Sequence, residues 1–141
     1  MSPLEISSRV VDFLNKRLIG RLATVSSSGQ PHVVPVWFLW ENNSIWISSY
    51  RSTRKVIDLE HNHKCALVVD VENESNGLTA VMLEGISEIV IKPPDEVKII
   101  VERIYKKYLG AEGILEPDPQ TWLNSPENVL LNVLPTRIKT W

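Results

Sequence analysis

Several features that would place this chain in a common functional class are missing from its sequence. Only one of its 141 residues is a cysteine, Cys65, which excludes a disulfide within the chain and fits a reducing, cytoplasmic compartment. No apolar run approaches the roughly 20 residues that a helix needs to cross a bilayer. The N-terminus also lacks the basic and apolar segments of a signal peptide. We therefore expect a cytoplasmic protein that does not associate with membranes.

An excess of charge of one sign is also lacking. Fifteen basic residues against 17 acidic residues give a net charge of −2 at pH 7. Such a balance provides no broad basic surface for nucleic acid or for anionic lipid. We therefore expect neither as a partner.

The common catalytic and metal-binding motifs are missing too. There is no Gly-x-Ser-x-Gly, Walker loop or Gly-x-Gly-x-x-Gly, and no visible pair of carboxylates. His61, His63 and Cys65 form His-x-His-x-Cys, but a zinc site needs a fourth ligand and alternation places Cys65 in a buried strand. His32 could be an acid or base, although a lone strand histidine is more often packed or solvated. We predict no metal site and identify no catalytic residue, so any difficult chemistry would belong to a bound cofactor.

The sequence does contain a succession of short apolar segments separated by turn residues. They predict six strands, over 19–26, 32–40, the first half of 44–59, 64–71, 78–91 and 128–140. Helices are predicted from Pro3 to near Arg17, from Thr53 to about Glu60 and from Pro93 to Gly110, with an irregular segment or single helical turn over 112–125.

These elements predict a mainly β fold with peripheral helices, in a single domain over 1–141. Six strands in mostly antiparallel connection favour a closed or nearly closed small barrel. Pro31 and Pro35 place the second strand at an edge or at a bulge, because proline cannot donate to the strand ladder. Gly85 interrupts a long strand and indicates a bulge or bend.

The segment 44–59 contains a candidate anion site, where a strand passes into a helix. Hydroxyl groups and cations crowd this junction, although the first turn of a helix normally favours acidic residues. Free N–H groups at a helix N-terminus and nearby cations together bind anions, most often phosphate. The alternative is a capped, solvated helix start. The residues concerned are Ser48, Ser49, Arg51, Ser52, Thr53, Arg54 and Lys55.

A second cluster is aromatic. Trp37, Phe38 and Trp40 follow Pro35 and Val36 on the predicted second strand, and Trp46 lies on the third. Across a hairpin these rings could form the walls of a slot for a flat ligand, lined by Trp37, Trp40 and Trp46. The alternative is an ordinary barrel core.

Four segments in this order resemble the pyridoxamine 5'-phosphate oxidase-like family of split-barrel flavoproteins. They are Gly20–Ser26, Gly29–Phe38, Ile47–Ser49 and Ser52–Leu59, and the ending Pro135–Trp141 is similar as well. The nearest branch is that of small, single-domain proteins dependent on FMN or on the deazaflavin coenzyme F420. The resemblance implies a six-stranded antiparallel split β-barrel that forms a homodimer, with two cofactor sites at the subunit interface.

The resemblance also implies which residues bind the cofactor. The backbone of Val34, Pro35, Val36 and Trp37 would run along the ring and the ribityl chain. The phosphate would contact the hydroxyl pair Ser48 and Ser49, together with Thr53, Arg54 and Lys55. Both FMN and F420 carry such a phosphate, so the choice between them stays open.

The function implied is hydride transfer between this cofactor and a small, planar substrate. Pyridoxamine phosphate oxidases carry an arginine where this chain has Val34 and a polar flavin contact near Ala80. These departures predict a redox substrate other than vitamin B6. The alternative is a module that binds or carries flavin, deazaflavin or haem without turnover.

Overall fold

A computed structural model describes residues 4–141, so the proline predicted to start the first helix, Pro3, lies outside the described residues. Within this range the chain forms four helices and seven strands. In chain order they are α1 (Ser8–Leu14), β1 (Gly20–Val25), β2 (Pro31–Val36), β3 (Leu39–Glu41), β4 (Ser44–Tyr50), α2 (Arg54–His61), β5 (Lys64–Ser75), β6 (Leu78–Val90), α3 (Pro94–Gly113), α4 (Pro117–Leu123) and β7 (Asn128–Thr140).

The strands form one antiparallel sheet in the order β2-β1-β5-β6-β7-β4-β3. Its two edge strands, β2 and β3, are separated in the chain by only Trp37 and Phe38. The three Cα–Cα steps from Val36 to Leu39 span at most about 11 Å, so this seven-stranded sheet must curl until the end of one edge strand approaches the start of the other. The result is a barrel that is open at one seam, where these two residues pass from edge to edge.

The predicted strand over 32–40 is therefore wrong as a single element, and the strand count is seven instead of six. Apolar side chains continue through Trp37 and Phe38, so the sequence gives no turn signal at the seam. The seam exists because the chain changes strand partner there, from β1 to β4.

Other predictions of local structure are confirmed. β2, which contains both prolines, pairs only with β1 and forms an edge of the sheet. The pairing of β6 with β7 passes from Glu84–Arg137 to Gly85–Pro135, which leaves Thr136 as a bulge. A Cβ atom at Gly85 would lie 2.6 Å from the carbonyl oxygen of Leu134, so only glycine fits beside this bulge.

The interior of the barrel is apolar and is closed by two helices. Phe38, Ile45 and Ile47 are completely buried in it. Phe13 and Leu14 of α1 belong to the same cluster, as do Val56 and Leu59 of α2. Burying a side chain of this size contributes about 1.5–3 kcal/mol, so α1 and α2 are fixed to the barrel by packing.

A second apolar cluster lies outside the barrel, under α3 and α4. α3 buries Val101, Ile104 and Tyr105 against Leu130 of β7, and Gly110 turns the chain with a φ of 80°. The segment predicted to be irregular or a single helical turn contains α4, a helix of seven residues that begins with a proline in its first turn. No helix among residues 4–141 combines the length and the apolar character needed to cross a membrane.

Candidate functional site

A cavity of about 300 Å³ opens at the barrel seam. It lies where the end of β2, the seam, the end of β4 and the first turn of α2 come together. Its wall contains five of the nine predicted cofactor-binding residues, and Ile19, which the sequence reasoning missed. The wall is formed by Ile19, Pro35, Val36, Trp37, Ser48 and Lys55.

Trp37 forms the seam side of this cavity and is held from behind by α3. Its ring is stacked on that of Tyr108, with centroids 5.0 Å apart and planes 4° from parallel. Tyr105 meets the same indole edge-on at 6.0 Å. Aromatic pairs in these arrangements add about 0.5–1.5 kcal/mol beyond area burial, so the orientation of Trp37 is fixed.

Lys55 provides the positive charge at the cavity. It belongs to the first turn of α2, is half-buried, and its pKa is lowered by desolvation. No carboxylate of residues 4–141 lies within 4.0 Å of its amino group. A partly desolvated ammonium without a counter-ion favours binding of an anion.

Ser48 faces the cavity from β4 and interacts with Tyr105 of α3. Burial raises the pKa of Tyr105, while a hydrogen bond with Ser48 acts in the opposite direction. Ser48 therefore lies near Tyr105 of α3, the helix that holds Trp37.

Ser49 and Thr53 lie next to the cavity but do not line it. Alternation along β4 buries Ser49, whose hydroxyl lies 2.8 Å from that of Thr53. The Thr53 hydroxyl donates to the carbonyl of Tyr50 at 2.8 Å and does not cap α2, although Thr53 occupies the N-cap position. The Thr53 side chain therefore accepts from none of the first N–H groups of α2, whereas its backbone carbonyl accepts from the N–H of Val56 at 3.1 Å.

Arg54 points away from its neighbour Lys55. Its Nε lies 3.8 Å from the carboxylate of Asp58, one helical turn further along. That carboxylate is buried, accepts a hydrogen bond from Thr24 at 2.8 Å and lies 3.8 Å from Nδ1 of His32. Of the adjacent cations at the start of α2, Arg54 has a counter-ion within the chain, and the structure provides none for Lys55.

Val34 is the remaining predicted residue, and its side chain packs against the interior of the barrel. Its backbone belongs to the edge strand β2. The implied role of Val34 through its backbone stays a prediction.

The predicted slot of three tryptophans is wrong, because only Trp37 reaches the cavity. Trp40 is 8% exposed and belongs to the barrel interior. Trp46 packs in the cluster under α3 and donates its indole N–H to the carbonyl of Glu41 at 3.1 Å. Strand-like alternation continues through the seam, so Val36, Phe38 and Trp40 face the interior while Trp37 faces outward.

Metal-ligand geometry is not found in the described part of the chain. Residues 4–141 contain no group of three histidine, cysteine, aspartate or glutamate side chains that could hold an ion. Cys65 is buried in β5, and burial raises its pKa to about 11.

Comparison with solved structures identifies the fold. The conserved hypothetical protein Rv2991 from Mycobacterium tuberculosis superposes with a TM-score of 0.78 and 22% identity over 100% of this chain and 88% of its own. An F420 reductase superposes with a TM-score of 0.73 and 24% identity over 91% of this chain and 94% of its own. HutZ, a heme storage protein from Vibrio cholerae, superposes with a TM-score of 0.74 and 13% identity over 97% of this chain and 95% of its own. At these identities the likeness shows a shared split-barrel fold.

Comparison with curated protein sequences finds no match. A family model described as pyridoxamine 5'-phosphate oxidase matches residues 6–141, which is nearly the whole chain. Together with the curled antiparallel sheet and its seam, this match shows that the chain belongs to the pyridoxamine 5'-phosphate oxidase-like split-barrel family.

Proposed function

We propose that this protein binds FMN or coenzyme F420 at the seam cavity and acts as an oxidoreductase on a small, planar substrate. The observation that carries this proposal is Lys55, a partly desolvated cation without a counter-ion at the wall of the cavity. Family membership supports it, and one solved structure of the same fold is an F420 reductase.

The residues at the cavity fit the phosphate of such a cofactor. Lys55 supplies an ammonium, Ser48 supplies a hydroxyl, and the start of α2 supplies N–H groups to which the Thr53 side chain makes no capping bond. The edge backbone from Val34 to Trp37 would hold the ring system. When bound, a flavin or deazaflavin supplies hydride transfer, while the chain orients the reactants and keeps water out.

We further propose a homodimer, in which a second copy of this chain covers the outer face of β1, β2, β5 and β6. Outward-facing residues of an antiparallel sheet are normally polar unless something covers them. Here they include Ala23, Val33, Ala66, Val68 and Ile86, and Val33 is 64% exposed. Because β2 also carries Pro35 of the cavity wall, a subunit on this face would lie beside the cavity.

The cofactor proposal is tested by titrating the protein with FMN and with F420 and following absorbance and fluorescence. We expect a Lys55→Met variant to weaken binding by about 10- to 100-fold, the range for loss of a hydrogen bond to a charged group. Lys98→Met, which removes an exposed lysine of α3, is the control. Equal affinity of Lys55→Met and wild type would contradict the proposal.

The dimer is tested by light scattering after chromatography. We expect Val33→Arg to give a folded monomer, because Val33 lies opposite Ala23 on β1 and an arginine buried there has no carboxylate across the strand pair. Ile99→Arg places the same charge at an exposed apolar position of α3 and should leave the mass unchanged. A monomeric wild type would overturn the dimer.

A second candidate function is a carrier that binds the cofactor without turnover. The observation that favours it is the composition of the cavity wall, where Lys55 is the one titratable side chain among the lining residues. Stopped-flow reoxidation of the reduced, bound cofactor distinguishes the two functions. Acceleration by a planar acceptor indicates an enzyme, and a rate independent of every acceptor indicates a carrier.

A further inference from the structure

The barrel seam is held together by two adjacent residues of α3, Lys107 and Tyr108. At the seam the chain leaves β2 and has not yet entered β3, so the backbone of Phe38 has no strand partner. Side chains must satisfy its polar groups, because Phe38 is completely buried.

Lys107 satisfies one carbonyl at the seam and another at the end of α1. Its amino group donates to the carbonyl of Phe38 at 2.9 Å and to that of Leu14 at 3.1 Å. It also lies 4.0 Å from the centroid of the Phe38 ring, a cation–π distance. Within residues 4–141 no carboxylate lies within 4.0 Å of it. The amino group of Lys107 therefore interacts with two backbone carbonyls and the face of an aromatic ring.

Tyr108 completes the arrangement from the next position of the helix. Its hydroxyl accepts from the N–H of Phe38 at 3.2 Å and donates to the carbonyl of Leu18 at 2.6 Å. The face of its ring carries the stacked indole of Trp37. One side chain thus contacts the seam, the segment before β1 and an aromatic residue of the cavity wall.

These contacts converge on the neighbours of cavity residues. Leu18 precedes Ile19, and Phe38 follows Trp37, and both Ile19 and Trp37 line the cavity. We propose that Lys107 and Tyr108 are positioning residues, which set the distance between these two walls and thereby the fit of the cofactor ring. The part concerning the cofactor rests on the proposed function; the part concerning the cavity walls does not.

Four variants test the inference. Lys107→Met removes the amino group and with it both hydrogen bonds. Lys107→Arg retains a cation that can donate to the same carbonyls. Tyr108→Phe removes the hydroxyl and keeps the ring under Trp37. Lys106→Met is the matched control, since Lys106 is the exposed neighbour on the same helix and pairs with Glu102 at 3.2 Å.

Two readouts are measured for each variant. The first needs no cofactor: the NMR resonance of the Trp37 indole N–H, assigned with Trp37→Phe, and hydrogen exchange of the Phe38 amide. The second is the dissociation constant for FMN and for F420. Thermal unfolding of each variant confirms that it is folded.

In Lys107→Met and Tyr108→Phe we expect a shifted Trp37 resonance, faster exchange of the Phe38 amide and dissociation constants raised about tenfold. Lys107→Arg should restore affinity to within about threefold of wild type, and Lys106→Met should match it. An unshifted Trp37 resonance, or unchanged affinity despite faster Phe38 exchange, would overturn the inference. If wild type binds neither cofactor, the proposed function fails, and the Trp37 resonance alone decides whether Lys107 and Tyr108 set the cavity wall.

Discussion

The outer surface of this single sheet has two halves that differ in what covers them. Over β4, β3 and the first half of β7, α3 and α4 bury Leu130 and Trp46 in a second apolar cluster. Over β1, β2, β5 and β6, no helix of the described chain covers the sheet, and Val33 and Ile86 stay exposed. Exposed or outward apolar side chains occur on both halves, although the uncovered half also carries the charged pairs Arg21–Asp70 and Arg137–Glu84.

The boundary between the two halves runs along β7 and coincides with its bulge. Before the bulge Val129, Leu131 and Val133 face the interior; after it, Ile138 packs against the same cluster. The extra residue shifts the alternation by one, from odd to even positions. The seam cavity adjoins both halves: it reaches the uncovered half through Pro35 of β2 and the covered half through Trp37, which α3 holds in place.

The largest expected effect comes from truncating one apolar residue in each half. Leu130→Ala should lower the free energy of unfolding by about 2–5 kcal/mol, because Leu130 is 1% exposed between β7 and α3. Ile86→Ala, at a position 45% exposed in the other half, should cost less than about 0.5 kcal/mol in the monomer. Both are measured by denaturant unfolding at low protein concentration.

The comparison between halves becomes sharper at high protein concentration. If a second copy covers the uncovered half, Ile86→Ala should lose stability relative to wild type as concentration rises, and Leu130→Ala should show no such dependence. A concentration-independent cost of Ile86→Ala above about 2 kcal/mol would mean that the chain covers this half by itself.

A smaller effect is expected at α2, which closes the barrel by a polar contact instead of apolar packing alone. Asp58→Ala should cost about 1–3 kcal/mol, because it leaves the buried Thr24 hydroxyl without its acceptor. Arg54→Ala should cost less than about 1 kcal/mol, since its guanidinium is 51% exposed and 3.8 Å from Asp58. Both costs are measured by thermal unfolding. If Asp58→Ala and Arg54→Ala cost the same, then the stabilisation by Asp58 comes from its ion pair with Arg54 and not from its hydrogen bond with Thr24.

Much of the fold could be predicted from local signals. The edge prolines, the turn after β1, Gly85 and the long last strand each act through their own backbone chemistry, and each lies where the sequence indicated. The seam could not be predicted, because Trp37 and Phe38 continue an apolar stretch and the change of partner depends on strands distant in sequence. For the same reason the predicted strand count was one too low.

The candidate site could be predicted in its residue types but not in its partners. Ser48 and Lys55 reach the cavity as the strand-to-helix junction indicated. The pairing of Arg54 with Asp58 follows helical spacing and could have been found from the i, i+4 rule. Tyr108 lies on the buried face of α3, and no local pattern shows that its hydroxyl would meet a backbone about 70 residues away.

The smallest expected effect is a pH dependence that arises under the covered half. Burial lowers the pKa of Lys107 to about 8 from its ordinary value of 10.5. Between these values the unfolded chain binds more protons at this site than the folded chain, so its contribution to the free energy of unfolding rises with pH. Burial of the Cys65 thiol acts in the opposite direction between pH 9 and about 11.

Wild type is therefore compared with Lys107→Met, so that the contribution of Cys65 cancels. Between pH 7 and 9, at fixed protein concentration, the free energy of unfolding of wild type should rise relative to that of Lys107→Met. Lys106→Met, altered at the exposed neighbour, should follow wild type across the same range. Parallel curves for wild type and Lys107→Met would mean that Lys107 titrates near its ordinary pKa and that water reaches its amino group, so the seam would be more open than the contacts of α3 indicate.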